Sequence, residues 1–254
     1  MITKELALKI GFLVVAGYVV LCLGVFIGQR RLIYFPSRVD VPLPSGFEIW
    51  PSPDSKEIWG YKRVSGAREC LFFFHGNGGN ASGWSHAVAE FPGDIFVLEY
   101  PGYGERLGAP SEHSIKAAAK EAFAKEQARY EKVLVAGESL GAAVTETIFT
   151  SWPERIYRLI LITPFLSLRD MARDQYWFLP TGWLLRDRME LYGPWQKFSG
   201  KTRIVVAGAD EIIPRAQTLR YMAATNAQVS VLELPGVGHN GVNLDAEFWK
   251  EVLK

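Results

Sequence analysis

The first pattern along the chain is a continuous apolar run from Ile10 to Gly28, IGFLVVAGYVVLCLGVFIG, without charge or proline. As a helix it is about 28 Å long, close to the thickness of a bilayer's hydrocarbon core. It predicts one transmembrane helix and a single-pass membrane protein. A cleaved signal peptide fits less well, because the run exceeds the usual ~7–15-residue apolar region and no small-x-small cleavage site precedes Arg30. Leu21 is too large to precede a lipoprotein cysteine at Cys22, and a buried core helix is normally shorter and less uniform. Lys4 and Lys9 before the run nearly balance Arg30, Arg31 and Arg38 after it, so the positive-inside count leaves the orientation open. Gly24 and Gly28 give a small-xxx-small spacing that permits close helix approach.

Beyond the run, proline, serine and aromatics dominate to about Arg68. Two extended pieces, Gly46 to Trp50 and Glu57 to Val64, flank PSPDS and predict an edge hairpin. Short apolar runs then recur: LFFFHG at Leu71 to Gly76, IFVLEYPG at Ile95 to Gly102, VLVAGES at Val133 to Ser139, LILITP at Leu159 to Pro164, RIVVAGAD at Arg203 to Asp210 and VSVLELPG at Val229 to Gly236. Such runs are the mark of strands buried on both faces. Helical text alternates with them at Ser114 to Tyr130, Leu140 to Thr150, Pro214 to Thr225 and Leu244 to Val252. The alternation predicts an α/β domain with a mostly parallel sheet flanked by helices. Residues 1–30 are the anchor and 31–254 the catalytic domain. About 166–200 forms a small cap, since a plain crossover would not need so long an insertion.

Hydrophobic residues make up 48% of the 254 residues, enough for one substantial core. Lys and Arg number 28 against 27 Asp and Glu, a balance that provides no long-range attraction for phosphate polymers and argues against nucleic acid as a partner. The two cysteines, Cys22 in the apolar run and Cys70 at a strand edge, cannot meet in a disulfide.

In a parallel sheet the chemistry gathers where strands end. AGESLGAA places Gly137, Ser139 and Gly141 between a strand and a helix, the setting in which a Gly-x-Ser-x-Gly turn lifts a serine hydroxyl clear of the sheet. Ser139 is the expected nucleophile. It needs a base, and a carboxylate to orient that base. His239 follows the last strand in LPGVGHN, whereas His75 is suited to holding its loop and His86 and His113 fall in surface text. Asp210 closes RIVVAGAD and is the expected acid; its neighbour Glu211 competes for that role, Asp170 belongs to the following segment, and capping of the helix near Pro214 is the structural alternative. For the oxyanion hole, the backbone amide of Leu140 pairs with that of Asn77 in the HGNGGN loop. No lysine followed by serine or threonine completes a phosphate-binding loop there.

Together RRLIYFPS after an apolar helix, HGNGGN, EYPGYGERLGAPSE, GESLGAA, GADEIIP and GHN resemble the membrane-anchored α/β-hydrolase-domain family, which includes eukaryotic protein depalmitoylases and uncharacterised bacterial members. The resemblance covers nearly the whole chain. It implies the α/β-hydrolase fold and a cofactor-free ester or thioester hydrolase acting on a small-molecule or lipid-like acyl substrate. It carries nucleophile, acid and base onto Ser139, Asp210 and His239, and points to Asn77 for the oxyanion loop. In the cap, Tyr176, Trp177, Phe178, Trp183, Leu184, Leu185 and Trp195 offer apolar surface for an acyl pocket or for packing. Its alternating Arg169, Arg173, Arg186, Arg188 and Asp170, Asp174, Asp187 read as a solvated, salt-bridged face. Two alternatives stand beside the esterase. One is a serine aminopeptidase, with Glu138 and Glu211 as the acids placed to bind an amine; the other is a non-catalytic anchored scaffold.

Overall fold

The computed structural model describes residues 3–53, 57–223 and 228–254. Helix α1 (Lys4–Ile33) leads into a two-residue strand β1 (Phe35–Pro36), then β2 (Glu48–Pro51), β3 (Ile58–Arg63), β4 (Glu69–Phe74), β5 (Gly78–Gly79), α2 (Ala81–Ala87) and β6 (Asp94–Leu98). There follow α3 (Glu112–Glu126), β7 (Lys132–Glu138), α4 (Leu140–Ser151), β8 (Ile156–Ile162) and three short helices, α5 (Leu168–Gln175), α6 (Thr181–Leu184) and α7 (Tyr192–Trp195). The chain ends with β9 (Lys201–Ala207), α8 (Arg215–Met222), β10 (Gln228–Leu234) and α9 (Ala246–Val252). The expected hairpin forms as antiparallel β2 and β3. Positions 54–56 of its connection and the expected helix end at 224–225 lie outside the described residues.

Eight strands form one sheet in the order β10-β9-β8-β7-β4-β6-β3-β2, parallel except at β3 and β2. Alternation along β4 divides the core. Cys70, Phe72 and Phe74 face α3 and α4, while Leu71 and Phe73 pack with residues of α2 and α9. Full burial of each such phenylalanine contributes roughly 1.5–3 kcal/mol. One expectation needs correcting: β10 is not buried on both faces. It forms the edge of the sheet beyond β9, and most of its residues are exposed or half-buried. The apolar content of VSVLELPG is that of a strand with one neighbour.

From β4 the chain passes to β6 on one side and then to β7 on the other, so a crevice opens at the ends of β4 and β7, as at any switch point in strand order. Their register pairs Phe74 with Gly137, which sets the loop after β4 level with the turn after β7.

Helix α1 is long and apolar enough to cross a membrane, with a mean hydropathy of 2.7 and none of its most apolar window buried in the rest of the chain. That excludes a core helix. Thr3 caps its start by accepting from the Leu6 amide. Cys22 and Cys70 are both free.

Candidate active site

Ser139 sits between β7 and α4 with φ +52° and ψ −114°, a conformation that non-glycine residues rarely adopt. The flanking glycines explain how the turn is accommodated. A Cβ on Gly137 would lie 2.3 Å from the Gly141 carbonyl oxygen, and one on Gly141 would lie 1.9 Å from that of Phe74. Backbone therefore packs on backbone, and the first turn of α4 is pressed against the end of β4. The Ser139 amide donates to Ile162 of β8 at 2.9 Å, tying the turn to its other neighbour.

Three residues expected to act together are brought together. His239, in a short turn after β10, has Nε2 3.1 Å from Ser139 Oγ and Nδ1 2.8 Å from Asp210 Oδ2. Asp210, after β9, accepts from the Ile212 and Ile213 amides through its other oxygen, at 2.9 and 2.7 Å. The carboxylate thus organises its own turn and faces the imidazole at the same time. Ser139 and His239 are both buried. Burial alone pulls the imidazole pKa down, but the Asp210 hydrogen bond and the charges of Asp210, Glu138 and Glu211 outweigh it and raise the value above the ordinary 6.5.

Glu211 and Glu138 are committed to the loops. Glu211 Oε2 accepts from the His239 amide at 3.2 Å, in space left by Gly238. Glu138 accepts from the Gly76 amide, lies 3.9 Å from His239 Nε2 and is almost wholly buried. Desolvation, the dominant cause, together with the Asp210 charge, overrides the attraction of His239 and pushes the Glu138 carboxyl up to about 7. Sequence reasoning gave Glu138 no part beyond binding an amine. Its sole signal was adjacency to Ser139.

The loop carrying Asn77 is bonded to the end of α1. The Asn77 side chain donates to the Ile33 carbonyl at 3.0 Å, and its carbonyl accepts from the Phe35 amide and the Tyr103 hydroxyl at 2.9 and 2.8 Å. Strands β1 and β5 extend that junction as a short parallel ladder. Beneath it lies Glu99, fully buried, accepting from the amides of Ala81 and Tyr100 and standing 3.4 Å from His75 Nε2. The charged residue inside the apolar run IFVLEYPG was its visible signal. His75 bonds the Gly76 carbonyl at 2.8 Å and so holds its loop, while His86 and His113 are exposed.

The cap departs from expectation in two ways. Asp187 is not on a solvated face: it is buried, accepts two bonds from Arg30 at 2.9 and 3.1 Å and one from Tyr34 at 3.1 Å. The aromatics do not act alike either. Trp195 is buried and stacks on Tyr221 at 4.6 Å, whereas Trp177 and Trp183 point outward. Among the described residues, no group of three or more His, Cys, Asp or Glu is placed to hold a metal ion.

Residues 71–200 match the model of the Alpha/beta hydrolase family. An uncharacterized protein of Mycobacterium tuberculosis is 31% identical over 85% of this chain and 82% of its own length. Protein bem46 of Schizosaccharomyces pombe is 28% identical over 88% of this chain and 84% of its own. A Pyrococcus furiosus esterase superimposes with a TM-score of 0.65 at 15% identity, covering 87% of this chain and 95% of that one, a likeness of fold. The chain belongs to the alpha/beta hydrolase family.

Proposed function

We propose that this chain is a membrane-anchored serine hydrolase that cleaves a carboxylic ester or thioester through an acyl-enzyme. Residues 1–30 serve as anchor and 31–254 as catalytic domain, with a cap at about 166–200. Support comes chiefly from one relay, the unbroken contact from Asp210 through His239 to Ser139 on a strained strand-to-helix turn. In this mechanism Ser139 Oγ bonds to the acyl carbon as His239 Nε2 takes its proton, and the resulting imidazolium is held by Asp210. The carbonyl π electrons move onto oxygen, where the amides of Leu140 and Asn77 receive the charge. Collapse of the adduct expels the alcohol or thiol, protonated by His239. Water then repeats the sequence and releases the acid. Asn77 uses its side chain and carbonyl on Ile33, Phe35 and Tyr103, so its backbone N–H is the group it offers.

The amidase alternative finds less support, because both acids that would bind a substrate amine already serve the Gly76 and His239 amides. The distinguishing experiment compares matched p-nitrophenyl ester, acyl thioester and amino-acyl naphthylamide substrates. Ester or thioester turnover that disappears in Ser139→Ala is expected; faster cleavage of the amide would transfer the assignment to a peptidase.

A further inference from the structure

After α5 the chain reads YWFLPTGWLL over residues 176–185, a stretch that includes α6 and holds ten positions without a charge. Trp183 is 92% exposed and Trp177 83%, and Tyr176 and Phe178 are about half exposed. Single exposed apolar residues need no explanation, but a contiguous aromatic tip does.

Bonds at several levels fix this tip relative to α1. Arg30 pairs with Asp187. Gln29, buried, donates to the Leu184 carbonyl at 2.9 Å and accepts from the Arg186 amide at 2.7 Å. The Arg186 guanidinium lies 5.7 Å from the centre of the Phe26 ring. Further along, the Tyr18 hydroxyl donates to the Phe178 carbonyl at 2.7 Å. From Asp187 back to Phe178 the cap therefore runs along α1 from its last turn to its middle, and Tyr18 is about 18 Å from Arg30 along the helix axis. Charge gathers at one end of this path, where Arg30, Arg186, Asp187, Glu112 and Lys116 line a cleft; within the tip itself the Arg169 guanidinium lies against Gly182.

Tyr18 lies mid-way along the apolar stretch, so hydrocarbon cannot surround that stretch and leave Phe178 in water. The tip meets part of the demand lipid makes of backbone, that polar groups find partners within the protein. The amides of Leu179, Thr181, Trp183, Leu184 and Leu185 all donate to carbonyls of the same segment, at 2.8–3.1 Å. We infer that residues 176–185 are immersed in the same leaflet as the C-terminal half of α1, with bilayer acyl chains covering Trp177 and Trp183. The inference rests on the proposed anchoring and adds a second, monotopic contact to it.

The test uses the full chain in phosphatidylcholine vesicles, with Trp177→Phe/Trp183→Phe as the partner variant; both side chains are so exposed that the exchange leaves the fold intact. Subtracting the two emission spectra isolates these two tryptophans. Their emission is expected to lie to the blue of water-exposed tryptophan, to lose most of its intensity with acyl-chain-brominated lipid and to resist aqueous iodide. Iodide quenching without bromolipid quenching, in protein that floats with the vesicles, overturns the inference while leaving the anchoring intact. Failure to float with vesicles removes both. Fluorophosphonate labelling of Ser139 in the same samples reports separately on the catalytic assignment.

Discussion

The turn around Ser139 and the seam between α1 and the cap hold their residues by different means. At the turn, position follows from backbone against backbone: neither Gly137 nor Gly141 has room for a methyl group, and the Ser139 amide is bonded to β8. At the seam a few side chains reach across between elements, Gln29 to the backbone of residues 184 and 186, Arg30 and Tyr34 to Asp187. Glycines of α1 such as Gly24 meet nothing within 4 Å. The turn is thus specified by volume and the seam by polar pairing, so the first tolerates no added atom and the second tolerates no lost partner.

The largest expected effect within the relay is that of Asp210→Asn. The exchange leaves the fold intact but favours the wrong imidazole tautomer and removes the stabilising charge, lowering kcat by about 10⁴-fold. Esterase kinetics check it. At the turn itself, Gly141→Ala forces the Phe74 carbonyl or α4 to move and costs on the order of 4 kcal/mol, seen as a fall in Tm with loss of activity. Gly24→Ala, by contrast, leaves the stability within about 0.5 kcal/mol of its starting value, and equal damage from the two would dissolve the distinction between the regions.

At the seam, Arg30→Met strands Asp187, which keeps Tyr34 as its neighbour. A loss of about 3 kcal/mol is expected, concentrated in the cap and read as faster proteolysis within 176–185. The rate of Ser139 labelling should change far less, since the turn does not depend on the seam for its geometry.

Glu138→Gln has the most distinctive pH signature. Its folded-state pKa of about 7 lies above the ordinary 4.5, so the folded chain holds this proton more tightly than the unfolded one. Stability therefore falls as pH rises from about 4.5 through about 7, and the glutamine variant gains on the wild type across that window by at most a few kcal/mol. Ionised Glu138 also raises the His239 pKa. Its removal should shift the acidic limb of the kcat/KM profile to lower pH, while Asp210 and Glu211 keep part of the elevation. Parallel wild-type and variant curves in both measurements would contradict this placement of Glu138.

Much of the turn was legible in the sequence because strand ends are legible. GESLGAA, GAD and GHN each follow an apolar run, and a parallel sheet sends such endings to one edge. Register was not legible. Only the level pairing of Phe74 with Gly137 reveals that Glu138 faces Gly76 and His239, and alternation within one strand says nothing of its neighbour. Asp187 was misread for a related reason. Its spacing among arginines suggested a solvated face, and its true partner lies far away in the chain, in Arg30. VSVLELPG looked like a central strand because apolar content does not count neighbours. The charge-free run at 176–185 was visible, yet its orientation comes from Tyr18 and Gln29, whose bonds to the cap leave no periodic trace.

The central claim, that Ser139 is activated by the His239–Asp210 pair, is tested most directly by peptide mass spectrometry after brief exposure to a fluorophosphonate. A single phosphonyl adduct on Ser139 is predicted, absent in Ser139→Ala and strongly slowed in His239→Ala and Asp210→Asn. An adduct on another residue, or undiminished labelling in the His239 variant, would contradict it.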